Sequence, residues 1–156
     1  MLLLALPLFL LSAVGGVIAT VGVVAMALPG RPQPWQKHLA RRVTSLTASM
    51  AVFFYSLGFA HVSWSEHEFG NGADSTPAPA CRDGFEPAVR EGLSHHESSY
   101  LPLRFDCIRE NGTSYPSWPD LVWINWAALA LALTTALLVI GAGYVTELRA
   151  RNTTPQ

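Results

Sequence analysis

The sequence predicts an all-α transmembrane fold: a three-helix membrane bundle with a small disulfide-stapled extracytoplasmic loop that contains a β-hairpin. Three observations lead there. Only 13% of the 156 residues are charged, while half are hydrophobic; a soluble domain carries about a quarter charged residues. The charges are segregated, leaving three long stretches without a single Asp, Glu, Lys or Arg. The only two cysteines, Cys81 and Cys107, lie in one segment between the second and third stretches. Other classes fall away on the same composition. Five Trp and abundant apolar residues do not belong to a disordered chain, and without a long basic tract no nucleic-acid partner is expected.

The first span is read as residues 1–29. Leu2 to Leu28 would form a helix of roughly 40 Å, longer than a hydrocarbon core of about 30 Å. A cleavable signal peptide competes with this reading, because Ala25-Met26-Ala27 resembles a cleavage site. The missing positive n-region and the length of the apolar run favour retention of the span. Residues 43–65 form the second span, broken by nothing more polar than Ser, Thr and His61. The third covers residues 121–146, with Asn125 its only strongly polar side chain. A charged residue at mid-bilayer costs about 2.5–3.5 kcal/mol on the insertion scale, which accounts for the exclusion.

Orientation follows from the charges. Residues 30–42 hold Arg31, Lys37, Arg41 and Arg42 and no acid, a charge of +4; residues 66–120 carry ten acids against four Arg, or −6; residues 147–156 carry +1. The positive-inside rule makes residues 30–42 a cytoplasmic basic loop and residues 147–156 a cytoplasmic tail. Residues 66–120 and the N-terminus then lie outside, as expected of a plasma-membrane protein. Trp64, Trp118, Trp123 and Trp126 cluster at the ends joined to the long segment, where Trp prefers the headgroup zone, so they are read as interfacial anchors. The four cations set topology and could also hold anionic lipid headgroups.

Small residues glue helices in lipid. Ser12, Gly16 and Thr20 form one four-residue-spaced strip and Ala128, Ala132 and Ala136 another, while span two offers Thr44, Ser45, Thr47, Ser49, Ser56 and Ser63. Ordinary bundle packing, with hydroxyls bonded back to the i−4 carbonyl, explains these residues more simply than a polar path.

The 55-residue outer segment is too long for a mere connection. Residues 70–80 have linker composition, and a structured part is expected to begin at Cys81. Two cysteines on one external segment point to a Cys81–Cys107 disulfide rather than to metal-binding or redox thiols, which would favour a C-x-x-C spacing. Glu86 to Gly92, with Pro87 near the start, suits one or two helical turns. Tyr100 to Cys107 alternates like a strand, with Leu101, Leu103, Phe105 and Cys107 on one face and Pro102 making it an edge strand or a late strand start. Asn111-Gly112 supplies a type I′ turn, returning through Thr113 to Tyr115. Asn111-Gly-Thr113 is also a glycosylation sequon, but the turn is the simpler reading.

The string from Cys81 through Ser99-Tyr-Leu-Pro-Leu-Arg-Phe-Asp-Cys107, then Asn-Gly-Thr113 and Trp118-Pro119 leading into Trp123-Ile-Asn125, resembles an arrangement in small bacterial integral membrane proteins. These carry a two-cysteine extracytoplasmic loop, with a Leu-Pro-Leu strand and an Asn-Gly or Asp-Gly turn, before the last span. The resemblance covers roughly residues 81–126. It implies membership and topology and no particular activity.

Candidate chemistry is sparse. His67, Glu68, His95 and His96 could converge on Zn or Cu, since imidazole and carboxylate suit both. No helix-borne H-x-x-x-H or H-E-x-x-H places them, so solvated loop residues are the simpler reading, with His61 a hydrogen-bonded interfacial side chain. A bis-histidine haem is weaker still, because only one His lies within any span. No nucleophile elbow, phosphate loop or fixed carboxylate pair is present, so no enzyme activity and no cofactor are expected. The expected role is that of an accessory or interaction protein. Its outer loop, through exposed Leu, Phe and Trp, would meet the bilayer, another membrane or extracytoplasmic protein, or a second copy. Metal capture, and membership of a transporter or respiratory complex as a small subunit, are the alternatives.

Overall fold

A computed structural model describes residues 2–25, 35–70 and 77–153. The protein is mostly helical, with one small antiparallel sheet. In chain order the elements are α1 (Leu2–Ala25), α2 (Trp35–Phe69), α3 (Pro79–Arg82), α4 (Pro87–Arg90), β1 (Leu93–Tyr100), β2 (Leu103–Arg109), β3 (Ser114–Pro116) and α5 (Leu121–Thr153). Helices α1, α2 and α5 are each long and apolar enough to cross a membrane.

Two of these helices outrun their apolar stretches. α2 begins at Trp35 rather than residue 43, so Lys37, Arg41 and Arg42 sit on its first turns and not in a loop. Gln, Lys, Leu, Ala and Arg are all good helix formers, so the helix continues where the apolar pattern stops. α5 runs on to Thr153, and its last turns carry a Glu147–Arg151 pair (Nε to Oε1, 3.0 Å) at i,i+4 spacing. Arg31 and the Met26-Ala27 part of the cleavage-like site lie outside the described residues.

The chain divides into two compact units. One comprises residues 8–53 and those from Ala127 onward. Within it α1 and α2 run antiparallel. Phe9 meets Phe53 with ring centroids 4.8 Å apart, a Cβ on Gly15 would lie 3.1 Å from Ser49 Oγ, and Gly22 packs against Arg42. Glycine at these points lets the backbones approach. The inward stripe of α1 is Phe9, Ser12, Gly16, Ala19 and Gly22; Thr20 is exposed. On α5, Ala132 and Ala136 are likewise exposed, and the inward stripe is Ala128, Leu131, Thr135 and Leu138. Strips spaced by four alone drift off a face that advances 3.6 residues per turn, and this corrects the expected phase. Some of the hydroxyls bond back along the helix, Thr20 to Gly16 O and Thr44 to Ala40 O at i−4, Ser12 to Phe9 O and Thr47 to Thr44 O at i−3, whereas Ser63 Oγ finds no partner among the described residues. Thr135 Oγ1 also lies 2.8 Å from Thr47 Oγ1, a direct α5–α2 link.

The other unit, which includes residues 54–126, holds the sheet, in order β1-β2-β3. Its core is Val62 from α2, Leu121 from α5, and Ala78, Cys81, Leu103, Phe105, Cys107 and Tyr115. Order begins before Cys81: Ala78 is buried and α3 starts at Pro79. Residues 71–76, most of the expected linker, lie outside the described residues.

Candidate interaction surface

The sheet owes its position to β2. Leu103, Phe105 and Cys107 alternate inward and are fully buried. A Cβ on Gly58 of α2 would lie 2.7 Å from Leu103 Cδ1, so glycine there makes room for the leucine. At the start of the strand, Asn125 of α5 grips the Leu103 backbone twice: its Oδ1 accepts from Leu103 N–H (3.0 Å) and its Nδ2 donates to Leu103 O (2.9 Å). At the other end, Cys107 forms the disulfide with Cys81, with Cα atoms 5.6 Å apart. Tyr115 of β3 completes the clamp, its hydroxyl donating to Cys81 O at 2.6 Å. Burial pushes the Tyr115 phenol above its ordinary value, partly opposed by Arg109 and Arg90, so it stays a neutral donor at physiological pH.

The strand before β2 is one the sequence did not announce. β1 pairs with β2 from Leu93↔Arg109 to Tyr100↔Leu103, with an irregularity between Leu93 and His95. Leu101 and Pro102 are therefore the turn joining the strands, and Leu101 is 85% exposed rather than inward. Of the two readings of Pro102 the late strand start holds and the edge position does not: β2 begins at Leu103, just after it, and lies between β1 and β3. The second turn also differs from a type I′ turn, which needs positive φ at both central residues. Among the described residues only glycines have positive φ, here Gly112 at +79°. Gly112 N–H donates to Arg109 O and Arg109 N–H to Thr113 O, the pattern of a three-residue loop with glycine in a bulge. Asn111 Oδ1 accepts from Thr113 N–H at 2.9 Å, fixing the turn from its side chain.

The proposed metal ligands are scattered by this ladder. Neighbouring strand residues face opposite ways, so His95 and His96 cannot share one site. His96 faces the core, stacked on Phe105 (4.7 Å, 7°) and edge-on to Phe69 (4.5 Å), with Nε2 3.3 Å from Glu66 Oε1. His95 is exposed beside Ser94 Oγ, Glu68 accepts from Trp64 Nε1 at 2.7 Å, and His67 is exposed in the last turn of α2. The described residues contain no group of three or more His, Cys, Asp or Glu able to hold a metal ion. His61 is corrected as well. Its ring packs on Trp118 at 4.5 Å, and its Nε2, like Ser63 Oγ and Ser117 Oγ, is buried without a hydrogen-bond partner among the described residues.

The four tryptophans part company. Trp64, Trp123 and Trp126 are exposed, Trp123 resting edge-on against Phe54 (5.4 Å). Trp118 instead packs against the core and donates to Asp120 Oδ2. Phe85 also turns inward, edge-on to Tyr115 at 5.0 Å. Among described residues 77–120, Leu101 is thus the one large hydrophobe left exposed, which corrects the expected set of Leu, Phe and Trp anchors.

What the outer face of the sheet does present is charge. Glu97 and Asp106 stand directly opposite each other across β1 and β2, on the face away from Phe105 and Cys107. Like charges so placed repel. Arg104 Nη1, 3.9 Å from Asp106 Oδ2, relieves this only at long range. His95, two residues from Glu97, shares the face. No family model, curated protein or solved structure matches the chain.

Proposed function

We propose that the chain is a three-span plasma-membrane protein that acts without catalysis, holding its disulfide-braced outer unit out to another membrane or extracytoplasmic protein. Residues 66–120 and the N-terminus lie outside; the basic start of α2 and the end of α5 lie in the cytoplasm. The lipid-facing part rests on α1 and α5, which expose Leu, Val and Ile around most of their circumference, as a helix in lipid does and a helix in water does not. The interaction reading is carried by one observation: the outer unit buries its own aromatics and keeps a Glu97–Asp106 like-charge pair, met only by Arg104 at 3.9 Å, on its exposed face. A fold free of other constraints would replace one acid, since like charges directly opposite each other are destabilising. A partner with a basic, hydrogen-bond-donating surface would turn that repulsion into attraction, with Leu101 as an apolar contact at the rim.

Site-specific photocrosslinking tests this. A crosslinker at Glu97 or Leu101 is expected to capture one reproducible protein partner, and Glu97→Gln/Asp106→Asn is expected to abolish the adduct formed from position 101. Adducts with lipid or with the chain itself alone would overturn the interaction role.

A further inference from the structure

The first 65 residues contain no acid, and among the described residues no ion pair joins Lys37, Arg41 or Arg42 to a carboxylate. Arg82 lies 3.2 Å from Asp83, Arg151 pairs with Glu147, and Arg109 donates to Val89 O. Lys37, Arg41 and Arg42 are exposed; Lys37 and Arg41 share a face at i,i+4 spacing.

The register of α1 against α2 sets where Arg42 lies along α1. Phe9 opposite Phe53, Gly15 opposite Ser49 and Gly22 opposite Arg42 place Arg42 beside α1 residues that are still wholly apolar: Val21, Val23 and Val24. Arg42 lies flat on the notch left by the missing side chain of Gly22; a Cβ there would stand 2.7 Å from its Nη1 and 2.8 Å from its Cδ. The aliphatic stem is thereby covered and the guanidinium is held at the edge of the apolar layer. A guanidinium beside an apolar helix face is matched best by a planar, bidentate anion.

Resting on the membrane reading above, we propose that Lys37, Arg41 and Arg42, seated by Gly22, bind the phosphodiester headgroup of an anionic phospholipid. The acyl chains of that lipid lie along the apolar face of α1 below Arg42. A free phosphate offers the same anion without those chains, so the site selects the lipid.

The test is native mass spectrometry of the full chain in detergent micelles doped with equal phosphatidylglycerol and phosphatidylcholine. The intact protein is expected to retain phosphatidylglycerol at least tenfold over phosphatidylcholine, with inorganic phosphate at millimolar concentration failing to displace it. Each cation near an anionic surface contributes roughly a fivefold preference, so Lys37→Gln/Arg41→Gln/Arg42→Gln should remove the selectivity. Gly22→Val keeps every charge but fills the notch, and should lower the preference as far as Arg42→Gln alone. Equal retention of both lipids by the intact protein, an unchanged preference in the triple variant, or displacement by inorganic phosphate would each overturn the site. Alkaline carbonate extraction of reconstituted vesicles separates the two levels. A chain that stays in the bilayer without lipid preference overturns the site alone; a chain released by carbonate overturns the membrane reading as well.

Discussion

Asn125 was legible as the single strongly polar side chain of its apolar run, but its purpose was not. Its partner, the Leu103 backbone, lies 22 residues away in sequence, and no local pattern points to it. Both ends of the amide bond to one residue, so the side chain stands in for a neighbouring strand at the start of β2. Asn125→Leu keeps the branching at Cγ and leaves the buried Leu103 N–H and C=O without these bonds. The outer unit should lose about 1–3 kcal/mol of stability, measured as a shifted denaturation midpoint by tryptophan fluorescence in micelles; an unchanged midpoint would mean that Asn125 does not anchor the strand. Leu103, Phe105 and Cys107 were legible by their alternation, because burial on one face of a strand writes itself into every second residue. Leu101 fits the same alternation and is exposed, because the Leu101-Pro102 step is a turn and alternation carries no mark of where a strand starts.

At the scale of elements, long apolar helices were the most legible, and their ends the least. The uncharged runs mark where each helix meets apolar surroundings, whereas the helices themselves extend over Trp35–Arg42 and Glu147–Thr153, residues whose helical propensity is good and whose polarity hides it. β1 went unseen for a different reason. Ser-His-His-Glu-Ser-Ser has no apolar alternation, and its inward residue His96 acts as an aromatic, stacked on Phe105. No local signal marks it: β3, with three residues, covers only part of one edge of β2, and β1 takes the other. The disulfide was legible from cysteine count and location alone. It closes a loop of 26 residues, worth roughly 3–4 kcal/mol on the chain-entropy model. Cys81→Ser/Cys107→Ser should therefore loosen the outer unit selectively. Protease cleavage within residues 77–120 should accelerate, while far-ultraviolet circular dichroism keeps the signal of α1, α2 and α5. A loss of helix in parallel would mean that the long helices depend on the outer unit.

For the whole molecule, the near-zero net charge of −1 conceals the most informative feature of the chain. Positive charge lies before the second apolar run and after the third, and negative charge lies between them. The same division recurs in the structure: the central segment holds a disulfide-linked core, while Arg42 of α2 stands beside Gly22 of α1. His67, Glu68, His95 and His96, offered as metal ligands only as an alternative, form no metal-holding group among the described residues, because clustering in sequence says nothing about which face of a strand each residue takes. The central claim is that the chain spans the bilayer with the Cys81–Cys107 unit outside. Thiol labelling of intact cells with a membrane-impermeant maleimide tests it directly. The account predicts no labelling before reduction, and labelling of Cys81 and Cys107 from the outside after treatment with an impermeant reductant. Thiols that react without reduction, or only after the membrane is permeabilised, would contradict it.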